Sequence, residues 1–469
     1  MTEFDVIVAG GGPAGCVIAS RLSENSDCSV CLVEAGPDYG PYESRRWPAD
    51  MLNGLELAFS HAWERHDPDD RSQLRARLLG GCSAHNACAV LPGAASDYNW
   101  GEGWSAHDLE PFLERARAAM RTRRFSEAEL APLSRAVLQG AEEVGLPVLS
   151  DASEDSAGAG PFPVNAVGPI RWNAAFAYVD PARERSNLTI VADTLVDRVL
   201  LAGDSVTGVV TAGGDAGVEL RARTAVLTAG AYGSPAILLR SGVGPERGLP
   251  VGEGLVDHSG IGVGWAPTPR LRTDTASFAR EHPLFMAQVV VKGRSRSCPE
   301  ETWDLHLFPA TEPAKDELGH PTGSYELSAA AFAMKPRSRG RVTLGDDDPR
   351  TPPVVEHGFL SDESDIGVLT DGLDLLRSLA TTTAMGAYCE REIRPGLDVD
   401  PEQYVRSSVR GYFHPVGTCA MGSVVDGSGQ VLGLDGLYVS DASVIPSIPR
   451  SNTNLTTLAV AEKIADGLR

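Results

Sequence analysis

Phe4-Asp5-Val6-Ile7-Val8-Ala9-Gly10-Gly11-Gly12-Pro13-Ala14-Gly15 opens a chain of 469 residues, and its reading decides the fold. Phe4 to Ala9 are mostly apolar, with β-branched side chains, as in a strand buried on both faces of a parallel sheet. The glycines that follow have the spacing G-x-G-x-x-G. Ala14, Val17, Ile18 and Leu22 then repeat on one face of a helix, and Cys28 to Glu34 reads as a second strand ending on an acid. Strand, glycine turn, helix and acid-tipped strand in that order suit a dinucleotide. Gly10 permits a tight turn, Gly12 lets backbone approach a pyrophosphate, and Gly15 lets helix pack close to strand. The helix start at Pro13 and Ala14 presents N–H groups and partial positive charge to phosphates. Glu34 is placed to accept hydrogen bonds from ribose hydroxyls, with Ala35 beside it.

Length predicts two to three domains. A hydrophobic content of 42% and a charged content of 22% are those of an ordinary globular protein. No apolar run reaches the ~18–20 residues that span a bilayer, and no basic leader precedes the first strand, so a cytoplasmic location is expected. The eight cysteines lack framework spacing, which suits a reducing compartment. Cys28 and Cys31 fall within one strand and read as packing rather than as a redox or metal pair; no metal site is expected. A formal charge of −22 without a basic block argues against nucleic acid and anionic membrane as partners.

Beyond Glu34 an irregular stretch runs to about Ser72, long enough to cover something; Trp63 within it reads as a packing anchor. Arg75-Ala76-Arg77-Leu78-Leu79-Gly80-Gly81-Cys82-Ser83-Ala84-His85-Asn86 follows. Its glycines allow backbone to approach a flat ligand, and its arginines are expected near phosphates. Amphipathic helices are expected from Asp97 to about Arg124 and from Glu127 to Val144. A Gly/Pro-rich stretch from Pro147 to about Asn187 precedes strands at Asn187–Ala192, Val196–Leu201, Val206–Thr211 and Thr224–Ala229, with a helix over Pro235–Ser241. From Gly260 to Phe332 strand-like runs alternate with polar loops, as in an antiparallel sheet with one solvated face, and a helix is expected from Asp362 to Leu379.

The C-terminal part holds Phe413-His414-Pro415-Val416-Gly417-Thr418, then Val439-Ser440-Asp441-Ala442, then Ser451-Asn452-Thr453-Asn454 and a closing helix. With the glycine fingerprint, the Gly-Gly-x-Ser-x-x-Asn segment, Thr228-Ala229-Gly230-Ala231-Tyr232-Gly233-Ser234-Pro235 and Val256-Asp257-His258, these motifs resemble the glucose–methanol–choline (GMC) family of FAD oxidoreductases over nearly the whole chain. The segment around Cys82 and His85 is most similar to choline oxidase and its relatives.

The resemblance implies FAD as cofactor, with Gly81 and Asn86 against the flavin, Val196 and Ala229 along the nucleotide, Asp441 and Ala442 at the ribityl and pyrophosphate, and Asn454 at the flavin. It implies that His85 either carries a covalent bond to the flavin 8α-methyl carbon or packs against the flavin edge. His414 corresponds to the catalytic histidine facing flavin N5, and Asn452 to its partner that holds the alcohol oxygen. A neutral imidazole can take the hydroxyl proton while the flavin takes hydride. His258 reads as a structural hydrogen-bonding residue. No carboxylate-plus-aromatic cage for trimethylammonium is identifiable, so choline itself is doubtful.

The expectation is an α/β fold: a Rossmann-like FAD-binding domain (1–155, 190–262 and 405–469) and a smaller α+β substrate domain (156–189 and 263–404) with a mostly antiparallel sheet. The expected activity is oxidation of a small-molecule alcohol, with electrons passing to O₂ or to another acceptor. The alternative is a lyase of the same fold, cleaving cyanohydrins with His414 as acid and base. Oligomeric state is not legible.

Overall fold

The computed structural model describes residues 3–67, 70–213, 217–315 and 321–469. The opening stretch forms strand β1 (Glu3–Ala9), helix α1 (Pro13–Leu22) and strand β2 (Val30–Val33). β1 and β2 pair in parallel, Val6 opposite Val30 and Ala9 opposite Val33. β2 is wholly buried and β1 is buried from Val6 to Ala9, as their apolar composition requires. On the outer side of β2 lies Leu188–Val191, and on the far side of β1 lies Val218–Leu227, both parallel. Ser205–Thr211 and Val196–Ala202 continue this seven-stranded sheet antiparallel, and Leu437–Val439 pairs in parallel with the end of Val218–Leu227.

α1 is buried on nearly every side because the closing helix Thr453–Leu468 packs on it. A two-pronged ion pair joins them: Arg21 Nε and Nη2 each lie 2.8 Å from a carboxylate oxygen of the fully buried Glu462.

A second seven-stranded sheet is antiparallel throughout. Its order is Cys389–Arg394, Ser259–Pro267, Pro321–Ala333, Leu305–Lys315, Val289–Gly293 and Gly158–Pro161, with Arg410–Gly411 also against Ser259–Pro267. Helix Ser364–Ala380 buries Leu369, Leu373 and Leu376 against it, with Leu305, Leu307 and Ala331 in the same core. The mixed α/β fold with an antiparallel second sheet is thus the one expected. Gly158–Pro161 shows the Gly/Pro-rich stretch leaving the first sheet to edge the second. Phe176, Tyr178 and Val179 then return to the first core.

Helix boundaries are corrected: those expected from Asp97 to about Arg124 and from Glu127 to Val144 span Ala106–Ala119 and Pro132–Glu143. The helix expected to begin at Pro235 begins at Gly230 and holds Pro235 inside it. Proline there removes the bond to the Ala231 carbonyl, and the Thr418 hydroxyl donates to that carbonyl instead, at 2.7 Å. The Asp441 carboxylate takes the Gly230 N–H at 2.8 Å and the Ser234 hydroxyl at 2.5 Å, which fixes the earlier start.

Gly15 is where the first motif has least room. A Cβ there would lie 1.8 Å from the Gly10 carbonyl oxygen and 2.9 Å from Thr228 Oγ1. Gly15→Ala must therefore push α1 off the strand. We expect a lower melting temperature and loss of tight cofactor binding, with a cost above the ~1–3 kcal/mol of ordinary overpacking. Calorimetry and the flavin-to-protein absorbance ratio would measure both; an unchanged ratio contradicts the packing role.

Candidate active site

A cavity of about 1890 Å³ opens between the two sheets. It exceeds the ~300–1,000 Å³ usual for one small-molecule site, as a dinucleotide plus substrate requires. Every residue assigned to the site from the sequence lines it except Gly15, whose place is the packing just described.

At one end lies the glycine turn. Gly10 has φ +111°, and a Cβ there would come within 2.7 Å of the Thr228 carbonyl oxygen. A Cβ on Gly12 would meet nothing closer than 3.8 Å, so Gly12 leaves its space to the cavity. α1 begins at Pro13 with no side-chain cap, leaving its N-terminus available to a pyrophosphate. Gly81 fits against this turn: its φ is +49°, and a Cβ would lie 2.7 Å from Gly12 Cα. Both Glu34 oxygens take backbone N–H bonds at 2.7 Å, from Gly11 and Gly36. Burial raises the carboxyl pKa against these two bonds. Carboxylate oxygens keep lone pairs for further donors, so a ribose remains a fitting partner. Val196 and Ala229 border the same end, while the Asp441 carboxylate is spent capping the helix at Gly230, so Asp441 and Ala442 offer the cavity their segment rather than a free acid.

The segment Gly81 to Asn86 is held from beneath by Arg171, which the sequence did not single out. Its guanidinium is fully buried and has no carboxylate partner among the described residues. It donates instead to five backbone carbonyls: Ala84 (2.9 Å), Asn86 (2.8 Å), Asp50 (3.1 Å), Met51 (2.8 Å) and Glu56 (2.5 Å). His85, above it, lines the cavity with its pKa lowered to about 3 by burial and by Arg75 and Arg171. Its imidazole is therefore neutral.

Two sequence expectations are corrected here. Arg75 does not sit at the glycine turn: it donates to the Tyr232 hydroxyl at 3.1 Å, and its charge acts on Asp257 and His414. Trp63 is a wall of the cavity as well as an anchor, with the Arg77 guanidinium 5.1 Å from its ring centre.

His414 and Asn452 meet on the wall of the same cavity. His414 Nε2 is 3.3 Å from Asn452 Nδ2, and His414 Nδ1 is 3.0 Å from His258 Nδ1. His258 Nε2 is in turn 3.0 Å from the Pro449 carbonyl oxygen. Asp257 Oδ1 accepts the His414 backbone N–H at 2.9 Å. Burial, then His258, Arg75 and His306, holds the His414 pKa well below the ordinary imidazole range. Phe413 has φ +66°, a left-handed conformation that bulky residues rarely adopt. This kink brings the rings of Tyr412 and His414 to 4.3 Å. Tyr412 also stacks on Phe332 at 3.6 Å, and Phe308 lies 5.8 Å away, an aromatic shelf beside the catalytic pair. The buried Tyr412 hydroxyl lies beside the Asn452 side chain, and neither it nor Asn452 Oδ1 completes a well-aligned hydrogen bond among the described residues. Orphaned polar atoms at a cavity wall suit a polar ligand. Tyr412 adjoined the quoted histidine segment and was missed, because a tyrosine there has no signal of its own. Asn454 lines the cavity nearby.

Sequence profiles described as GMC oxidoreductase match residues 4–260 and 336–461. The chain is 33% identical over 537 aligned positions to the oxygen-dependent choline dehydrogenase of Ectopseudomonas mendocina (strain ymp), covering 100% of this chain and 94% of that protein. It is 32% identical over 535 positions to the protein of the same name from Pectobacterium atrosepticum, covering 100% and 95%. Among solved structures it resembles pyridoxine 4-oxidase from Mesorbium loti, with a TM-score of 0.85 at 25% identity and 99% of each chain covered. A fungal aryl-alcohol oxidase has the same fold, with a TM-score of 0.77 at 22% identity, covering 99% of this chain and 98% of the other. Among the described residues no helix is long and apolar enough to cross a membrane.

Proposed function

Because this chain belongs to the GMC oxidoreductase family of FAD-dependent alcohol oxidoreductases, we propose that it oxidises a small-molecule alcohol to the aldehyde or ketone with His414 as the base. The observation that carries this is that one cavity is lined both by the glycine turn and by the His414–Asn452 pair. FAD, when bound, supplies the electron sink, with N5 as hydride acceptor.

The side chains do the rest. His414 Nε2 receives the hydroxyl proton, and its burial ensures that the ring begins neutral. Asn452 cannot act as a base; its amide addresses the same point and holds the alcohol oxygen there. Tyr412 offers a further hydrogen bond to that oxygen, and the shelf of Phe308, Phe332 and Tyr412 takes the carbon end and excludes water. Tyr412→Phe keeps the stack and removes the hydroxyl. We expect kcat/KM to fall about 3- to 10-fold, the worth of one neutral hydrogen bond, with KM bearing most of the change. An unaltered KM would remove Tyr412 from the site.

We assign His85 a covalent bond to the flavin 8α carbon. The support is its neutral ring on the cavity wall. His85 would hold the flavin through an imidazole nitrogen; that bond would replace one C–H of the methyl group and the imidazole N–H, and the two electrons released would pass to the same terminal acceptor as those of the alcohol. Acid precipitation should leave a yellow pellet, and a colourless pellet with yellow supernatant rejects the linkage. O₂ is the acceptor we favour over a quinone, and H₂O₂ formed per alcohol consumed decides between them. The central experiment is anaerobic mixing with a panel of alcohols. Bleaching of the flavin supports the oxidation, whereas a flavin that no alcohol bleaches turns the same residues toward the lyase reading.

A further inference from the structure

We infer that His258 dictates which nitrogen of His414 is free to take a proton, making Nε2 the basic atom; this rests on His414 being the base. A carbonyl oxygen can only accept, so the His258 Nε2 that lies 3.0 Å from the Pro449 oxygen carries a hydrogen. A neutral imidazole has one N–H, so His258 Nδ1 is a bare lone pair. His414 Nδ1 lies 3.0 Å from that lone pair, and two lone pairs would repel at such a distance, so His414 Nδ1 carries its ring's hydrogen. The lone pair of His414 is then left on Nε2, where the Asn452 amide meets it at 3.3 Å.

Both rings are buried, and burial holds both in the neutral form that this counting needs: it lowers the pKa of His258 to about 3 and that of His414 well below its ordinary value. The two rings are nearly perpendicular, with 86° between their planes. The backbone sets the same geometry. Asp257, adjacent to His258, takes the His414 N–H at 2.9 Å. Pro449 lies three positions before Asn452 in the chain, so one loop grips His258 from behind and addresses His414 from the front. When a proton arrives at Nε2, the bond from His414 Nδ1–H to His258 becomes charge-assisted and about twice as strong. His258 thus supports the protonated base more than the free one. It touches no substrate and is a positioning residue.

The test is the tautomer of His414 in the holoenzyme labelled with ¹⁵N-histidine at pH 7. The chain has ten histidines, and His414→Gln assigns the signal. Long-range ¹H–¹⁵N correlations should show His414 protonated at Nδ1 and bare at Nε2; a hydrogen on Nε2 overturns the inference. His258→Asn keeps an acceptor near the position of Nδ1, whereas His258→Leu does not. In His258→Leu the Nε2–H tautomer should appear and flavin reduction should slow by about 10²–10⁴, the scale at which a misprotonated catalytic histidine costs activity. His258→Asn should recover most of both. Equal rates and an unchanged tautomer in His258→Leu refute the role. If that variant fails to fold, the wild-type spectrum and His258→Asn still decide. Because the tautomer is read without turnover, a wild-type protein that oxidises no alcohol would sink the proposed function and leave this assignment standing.

Discussion

Alanine at position 414 will slow flavin reduction by about 10²–10⁴ or more while leaving FAD bound. The side chain lost is the acceptor of the hydroxyl proton, and neither neighbour can replace it. Asn452 has no basic nitrogen. The His258 lone pair faces His414 rather than the cavity, and burial keeps its pKa at about 3. The substitution leaves the glycine turn and the segment around Gly81 untouched, so the yellow colour should persist. Stopped-flow reduction with the best alcohol of the panel measures the effect, and a rate within threefold of wild type would remove His414 from the chemistry. The pH dependence of the intact enzyme gives a second readout. The neutral form is the active one, and the His414 pKa is held down by burial, His258, Arg75 and His306. Activity is therefore present above that lowered pKa and lost only as pH falls through it. The acid limb of the reduction rate should lie below the ~6.5 of a free imidazole.

Arg171→Met should be the most damaging substitution outside the catalytic pair. It exchanges a buried guanidinium for an apolar chain of similar reach, which removes the cost of a buried charge but leaves five carbonyls without their donor. Orphaned buried acceptors cost about 1–3 kcal/mol each where nothing relaxes. Some will find other donors, so we expect a net loss of about 3–5 kcal/mol. At about 2–4 °C per kcal/mol, the melting temperature should fall by roughly 10 °C. The loss falls on the segment from Ala84 to Asn86, so FAD content and any linkage through His85 should drop with it. Arg171→Lys should rescue little, since one ammonium cannot reach carbonyls spread around a planar fork. A variant with normal flavin content and melting temperature would show that the segment holds itself.

The first motif was legible because its physics is local. The positive φ at Gly10 and the clash that a Cβ at Gly15 would make with the Gly10 carbonyl are demands set within one short stretch, and glycine meets them. The alternation of apolar and polar runs likewise anticipated both sheets. Boundaries failed where a distant group intervened. The helix at Gly230 starts early because Asp441 caps it and Thr418 replaces the bond that Pro235 cannot make. Arg171 was invisible because its five partners are main-chain carbonyls, which every residue carries.

The amino-acid order alone determined the βαβ unit, the two-sheet α/β architecture and a histidine followed by an asparagine near the C-terminus. Tertiary structure decided what that histidine is next to. His258 lies 156 positions before it and Asn452 38 after it, and Tyr412 gained its place only when the kink at Phe413 stacked it on Phe332. Conformational preferences act between near neighbours and leave a trace in sequence. Protonation is set by hydrogen-bond partners and burial, which exist only after distant segments have packed.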